Sequence, residues 1–265
     1  IGFLSPQKNQ PYHDWVQGKA LHKTQSFISP VTEITYIGKE AVYDTTQPDH
    51  NTVIFNGLVS GQCGEQPLPS YGCCDLGPVI LTRFVRQPFG FAGAPEFDFA
   101  AFESAVALQV RALDNVLDIT FWPLPQQREE AHAKRRIGVG FTGMGNTLAM
   151  LCLRYDSDAG RAMAARIAQR MRDAAYAASV ALAQEKGAFP KFDAEGYLAS
   201  GTFASRLPAT LQNDIRQHGI RNSHLLSIAP TGTVSLAFAD NASNGIEPPF
   251  SWMYKRKKRE ADGST

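Results

Sequence analysis

The sequence predicts an α/β fold preceded by a small all-β segment. Two observations carry the prediction: residues 1–62 and 63–265 differ in texture, and only the second part alternates apolar runs with long helical stretches. A third concerns bulk. At 265 residues with 43% hydrophobic and 10% aromatic content, the chain can fill a sizeable core.

Residues 1–30 carry no usable period. Val31-Thr32-Glu33-Ile34-Thr35-Tyr36-Ile37-Gly38 and Thr52-Val53-Ile54-Phe55-Asn56-Gly57 are rich in β-branched residues, and Asn56-Gly57 is a strong hairpin signal. Beyond residue 63 the spacing predicts a helix over Phe99 to Ile119, stopped by Pro123 and Pro125. An Ala-rich helix is predicted from Ser157 to about Lys186, with Arg161, Arg166, Arg170 and Arg172 along it and Gly187 as its stop. His224-Leu225-Leu226-Ser227-Ile228 then reads as a buried strand feeding into the small-residue turn Ala229-Pro230-Thr231-Gly232-Thr233, the layout of a ligand-binding loop.

Composition excludes several function classes. The formal net charge is +1, so no global field draws the chain to nucleic acid or to an acidic membrane surface. Lys255-Arg256-Lys257-Lys258-Arg259 reads as a solvated basic run. No stretch approaches the roughly 18 apolar residues of a membrane span, and no signal-peptide pattern opens the chain, which makes a cytoplasmic location the default expectation. The cysteines are Cys63, Cys73, Cys74 and Cys152, without the CxxC spacing of zinc sites, and no metal ligands are assigned. In a reducing compartment such thiols are catalytic or buried rather than disulfide-bonded; Cys152, inside Ala149-Met150-Leu151-Cys152-Leu153, reads as a buried small hydrophobe. The chain starts on Ile1 and is expected to be a piece of a longer product.

Cys63 and Glu65 are two residues apart, so in an extended loop both side chains project to one side. A neighbouring carboxylate raises a thiol pKa, which suits a thiolate nucleophile poorly. Hydrogen-atom chemistry fits better, because a radical cysteine need not be a thiolate, and a carboxylate can act as general base toward a substrate hydroxyl.

The longer string Cys63-Gly64-Glu65-Gln66-Pro67-Leu68-Pro69-Ser70-Tyr71-Gly72-Cys73-Cys74-Asp75-Leu76-Gly77 resembles the active-site loop of ribonucleotide reductases, above all the adenosylcobalamin-dependent class. Leu113-Asp114-Asn115-Val116-Leu117-Asp118, Arg135-Arg136-Ile137-Gly138, Arg221-Asn222-Ser223, Ala229-Pro230-Thr231-Gly232-Thr233 and Asn244-Gly245-Ile246-Glu247-Pro248 follow in the family's order. The resemblance implies that 63–265 is part of the family's ten-stranded α/β barrel. It implies that Cys63 is the thiyl-radical residue abstracting the ribose 3′ hydrogen and that Glu65 takes the 3′ hydroxyl proton. Cys74 would be one of the cysteine pair that reduces the 2′ position, its partner lying upstream of this chain. Cys73 is adjacent, but the family spacing selects Cys74, and a strained vicinal disulfide between the two is not expected. Ala229, Pro230, Thr231, Gly232 and Thr233 would bind the substrate phosphate: Gly232 lets backbone amides face an anion, and the two threonines add hydroxyls. Adenosylcobalamin, a ribonucleotide and a thioredoxin-like reductant are the implied cofactor and partners. A reductase using a separate radical-generating subunit is the alternative within the family.

Gly138-Val139-Gly140-Phe141-Thr142-Gly143 satisfies a dinucleotide-binding GxGxxG pattern, yet helix packing and tight turns account for these glycines better.

The family expects Asn-Pro directly before the radical cysteine, whereas this chain has Gly61-Gln62. Ile37-Gly38-Lys39-Glu40-Ala41-Val42-Tyr43-Asp44, Asp49-His50-Asn51 and Phe55-Asn56-Gly57-Leu58-Val59 resemble the C-terminal blocks of inteins. On that resemblance 1–62 is the C-terminal, Hint-type part of an intein, with 1–30 a linker or endonuclease remnant. Cys63 would receive the upstream polypeptide as a thioester, Gln62 would cyclise through its amide to cut the backbone, and His50 would assist by proton transfer. The missing N-terminal intein and reductase segments would then be partners, and a splicing module carrying an inactive reductase fragment as cargo is the competing class.

Overall fold

The computed structural model describes residues 52–55, 58–61, 68–239, 242–249 and 251. The chain enters them through a hairpin: strand β1 (Thr52–Phe55) pairs antiparallel with β2 (Leu58–Gly61), Phe55 opposite Leu58. A two-residue connection through Asn56-Gly57 is what that dipeptide predicts.

Strand β3 (Asp75–Ile80) leads through a 3₁₀ turn into a short antiparallel ribbon, β4 (Val85–Arg86) and β5 (Glu96–Phe97). Helix α1 (Phe99–Ile119) follows, capped by Asp98, whose carboxylate accepts the Ala101 amide at 3.1 Å. Phe102, Val106, Val110, Leu113 and Leu117 recur every three or four residues and are all buried, so they form the stripe that faces the core. Each such side chain contributes about 1.5–3 kcal/mol on burial. The helix ends at Ile119 as its periodicity predicts, but Pro125 opens the next helix, α2 (Pro125–Lys134), from the first-turn position where proline needs no donor.

Strand β6 (Ile137–Thr142) runs parallel to β3, with Asp75 opposite Ile137 and Ile80 opposite Thr142. All six of its residues are buried, as expected of a central strand in a parallel sheet. Its other edge is taken by residues 224–227: the Ile137 and Val139 amides donate to the carbonyls of His224 and Leu225, and the Ser227 amide donates to Val139. That third strand alternates between buried Leu225 and Ser227 and more exposed His224 and Ile228, so the continuous burial predicted for it does not hold. It is an outer strand here, with one side left open.

The GxGxxG string therefore lies mostly inside β6. A Cβ at Gly140 would stand 2.2 Å from the Ser227 carbonyl oxygen, so the glycine is required for the third strand to approach. Gly143, at φ 80°, makes the turn into α3 (Met144–Met150). A strand, turn and helix do follow one another, but two of the three glycines serve strand packing.

Helix α4 (Asp158–Lys186) starts on Ser157, whose hydroxyl accepts the Gly160 amide, and stops at Gly187 with φ 84°. Ile167, Met171, Ala175, Leu182 and Ala183 are buried along it, and it packs against α1. Short helix α5 (Ala194–Tyr197) and α6 (Ala209–His218) close the route back to the third strand. A last helical turn, α7 (Gly232–Val234), follows it.

Candidate active site

The strings that carry the resemblance, scattered along the sequence, meet at two places. The first is a buried ionic network behind the sheet. Arg135 ends α2 with φ 47° and is 3% exposed. Its guanidinium donates to Asp114 Oδ1 at 2.7 Å and to both Asp118 oxygens at 2.7 and 3.0 Å. Arg221 reaches Asp114 Oδ2 at 3.2 Å and the carbonyls of Lys186 and Gly187, tying the third strand to the end of α4. Asn222 donates to Asp114 Oδ1 and the Arg135 carbonyl, and Ser179 of α4 bonds its amide group from the other side. Burial opposes the Arg135 charge, yet the hydrogen bonds to Asp118 and Asp114 carry its pKa above the ordinary value, while Asp118 is held below the usual carboxylate range. Nearly every polar atom in this network is used, so its role is to lock α1, α2, α4 and the third strand together.

The second place is the N-terminal mouth of β3 and β6. Cys73 and Cys74 stand immediately before β3, and the parallel register that pairs Asp75 with Ile137 sets Cys74 beside Arg136. Gly138 is the floor: a Cβ there would meet Cys74 Sγ at 3.1 Å and Ser227 Cβ at 2.9 Å. The redox candidate thus lies over the sheet next to the third strand. Cys73 instead packs against the hydrophobic core, and burial, then Asp75, push its thiol pKa up, with Arg136 opposing. Cys73 and Cys74 are not joined in a disulfide.

Charged groups surround the two thiols. Arg136 is 7% exposed; burial pulls its pKa down, against the attraction of Cys74, then Glu130, then Cys73. Glu130 is paired with Lys134 along α2. Burial pushes Asp75 up to about 6, and its Oδ2 is buried without a hydrogen-bond partner among the described residues. Loss of hydration, with Arg136 and Lys134 close by, pushes His224 down to about 4 and favours the neutral ring. Asp75, Arg136 and His224 were not singled out from the sequence as site residues. Asp75 and Arg136 each lie inside a recognised string, but only the strand register brings them together.

The Ala229–Thr233 turn follows the third strand at the other end of the sheet. Thr231 takes φ 50° and its Oγ1 is buried without a partner among the described residues; Gly232 opens α7 with free space where a side chain would be. Asn244 to Pro248, to which the sequence assigned no role, packs against this turn. Ser235 Oγ bonds Asn244 Oδ1 at 2.7 Å, and a Cβ at Gly245 would stand 2.9 Å from the Ala229 carbonyl. The carbonyls of Asn244 and Gly245 accept the amides of Gly143 and Met144, and Glu247 accepts the amides of Asn244 and Gly245. The segment is a brace between the turn and the start of α3.

Cys152 is exposed with φ 58°, just past α3, so the reading of it as a buried hydrophobe is corrected: the helix ends before the thiol can turn inward. His50, Gln62, Cys63 and Glu65 lie outside the described residues, as does the basic run at 255–259. Among the described residues no group of three or more His, Cys, Asp or Glu could hold a metal, and no helix is long and apolar enough to cross a membrane.

Parallel strands with Cys73 and Cys74 before one of them and a small-residue turn beyond the outer strand define an α/β core. The chain belongs to the ribonucleotide reductase family: residues 46–264 match its barrel domain. That match begins within the stretch read as an intein tail, so 46–62 is common to both assignments. The chain is 36% identical over 194 residues to the vitamin B12-dependent ribonucleoside-diphosphate reductase of Mycobacterium tuberculosis, covering 73% of this chain and 24% of that protein. It is 30% identical over 194 residues to the like-named protein of Thermoplasma acidophilum, covering 73% of this chain and 22% of that protein, and 30% identical to the ribonucleoside-diphosphate reductase large chain of Encephalitozoon cuniculi, covering 69% and 24%. The chain spans about a quarter of the length of these relatives.

Proposed function

We propose that the chain is a catalytic portion of a ribonucleotide reductase that uses adenosylcobalamin and converts ribonucleotides to deoxyribonucleotides. The observation that carries this is the mouth of β3, where Cys74, the cysteine selected by the family spacing, rests over Gly138 beside Ser227. Cys63 abstracts the ribose 3′ hydrogen, Glu65 accepts the 3′ hydroxyl proton, and Cys74 with an upstream cysteine delivers two electrons to the 2′ position, ending as a disulfide that a thioredoxin-like dithiol reduces. Ala229 to Thr233 bind the phosphate, with the Thr231 hydroxyl and the amides around Gly232 as donors. The names of the relatives support cobalamin. The clefts beside the third strand, of about 440 and 560 Å³, are too small for a corrinoid, so the described residues do not by themselves form its seat. No step above runs through it.

The test is turnover by the complete protein containing this chain, with ribonucleotide, adenosylcobalamin and a dithiol protein. Cys74→Ser is expected to abolish multiple turnover with the protein dithiol, and full activity in that variant would overturn the assignment. Undiminished activity without adenosylcobalamin would assign the chain to a reductase with a separate radical-generating subunit, as the likeness to a large chain allows.

The finer reading gives residues 1–62 to an intein tail. The β1–β2 hairpin around Asn56-Gly57 and the absence of Asn-Pro before Cys63 support it. Adding an N-terminal intein half should ligate the upstream segment to Cys63 with loss of 1–62. A chain that stays intact by mass spectrometry rules splicing out.

A further inference from the structure

We propose that Arg136 is a positioning residue for Cys74, supplying the positive charge that holds this sulfur as a thiolate while Cys73, its chain neighbour, stays protonated. The inference rests on the reading of Cys74 as the redox cysteine only for its role in turnover; the electrostatic claim stands on the fold.

Three observations on the geometry support it. The β3–β6 register places Arg136 next to Cys74 at the strand mouth, and Cys74 Sγ lies against Gly138, two residues further along the same strand. Arg136 is 7% exposed, so solvent screens its charge little. Arg135, its neighbour, has its donors engaged with Asp114 and Asp118, leaving Arg136 as the guanidinium that serves the mouth. The electrostatics agree: Cys74 ranks ahead of Glu130 and Cys73 among the negative groups acting on Arg136. Among the described residues, the other charged and titratable groups facing the thiols are Cys73 and Asp75 at the start of β3, Glu130 and Lys134 on α2, and His224 on the third strand. Glu130 is paired with Lys134, and Asp75 acts on Cys73.

The chemical consequence lies in re-reduction. When a dithiol reductant attacks the partner sulfur of an oxidised Cys74, the S–S bond breaks, a mixed disulfide forms on the partner, and the electron pair leaves on Cys74 Sγ. The second thiolate of the reductant then releases the partner thiol and completes a two-electron transfer. A guanidinium beside Cys74 stabilises the leaving thiolate.

The test is site-resolved alkylation of the full chain with iodoacetamide across pH 5 to 10, read by fragmentation between Cys73 and Cys74. At neutral pH Cys74 should react at least about threefold faster than Cys73, and the Arg136→Gln profile for Cys74 should move to higher pH, with a rate loss of about three- to tenfold at pH 7. Arg136→Lys should restore most of that rate. Equal rates at the two thiols in the unaltered chain, or an Arg136→Gln profile superimposed on the parent, would overturn the proposal; the first outcome needs no variant to fold. Turnover separates this claim from the function. A protein active through Cys74 whose thiol ignores Arg136 sinks only the positioning role, whereas an Arg136-dependent thiol in a protein whose turnover survives Cys74→Ser sinks only the redox assignment.

Discussion

Arg135 and Arg136 are neighbours in the chain and serve opposite kinds of environment. Behind the sheet, Arg135 meets Asp114 and Asp118 in a network whose oxygens and nitrogens are nearly all partnered. At the mouth, Arg136 acts with two thiols, and beside Cys73 lies Asp75, a half-buried carboxyl whose Oδ2 has no partner among the described residues. A closed ionic network fixes geometry, because each change of charge breaks several bonds at once. At the mouth a buried charge acts on sulfur atoms, and burial moves the Asp75 carboxyl toward neutral pH. The difference separates the family strings that hold the fold from those that do chemistry.

The largest expected effect comes from breaking the closed side. Asp114→Ala removes the acceptor shared by Arg135, Arg221 and Asn222 and should cost about 3–5 kcal/mol, seen as a lower denaturant midpoint. A loss below about 1 kcal/mol would mean that the network does not lock the helices. Next is the strand that joins the two regions. Gly140→Ala drives a Cβ into the Ser227 carbonyl and should cost about 2–3 kcal/mol, with faster amide exchange at Val139 and Ser227. Unchanged exchange at those amides would place the strain elsewhere.

The open side should respond to pH. Asp75 is raised from 3.8 to about 6, so the folded chain binds this proton more tightly than the unfolded chain does. Its favourable contribution is therefore present below pH 3.8 and lost as pH rises through about 6, leaving a cost at neutral pH. Allowing for solvent screening of a partly exposed group, Asp75→Asn should stabilise the chain by about 1 kcal/mol at pH 7. The melting curves of variant and parent should converge below pH 4; a constant gap would rule out the carboxyl charge as the cause. The smallest change is Cys73→Ser, which places a hydroxyl against the core and should cost under about 1 kcal/mol in thermal melts without altering turnover. Loss of turnover comparable to that of Cys74→Ser would exchange the roles of the two thiols.

Much of this was legible in the chain itself. The helix 158–186 was readable from its alanine content, its serine cap and its terminal glycine, all local signals. The helix 99–119 was readable from a buried residue every three or four positions. Strand β6 was not, because Gly138 and Gly140 interrupt the apolar run that marks a fully buried strand, and the same glycines imitate a phosphate loop. Cys152 misled for a related reason: an apolar neighbourhood in sequence says nothing of a left-handed backbone that turns the residue outward. The site divided in the same way. Cys74 and the Ala229–Thr233 turn stood out as strings, while Asp75, Arg136 and His224 gained meaning only from strand register.

The sequence alone therefore determined the family, the long helices and the identity of the candidate redox thiol, since each depends on residues close together in the chain. Tertiary structure decided which of two adjacent cysteines meets the sheet surface, which of two adjacent arginines is consumed by carboxylates, and what the Asn244–Pro248 string braces. Those outcomes depend on partners dozens of residues away, and burial sets the strength of each charge they bring together.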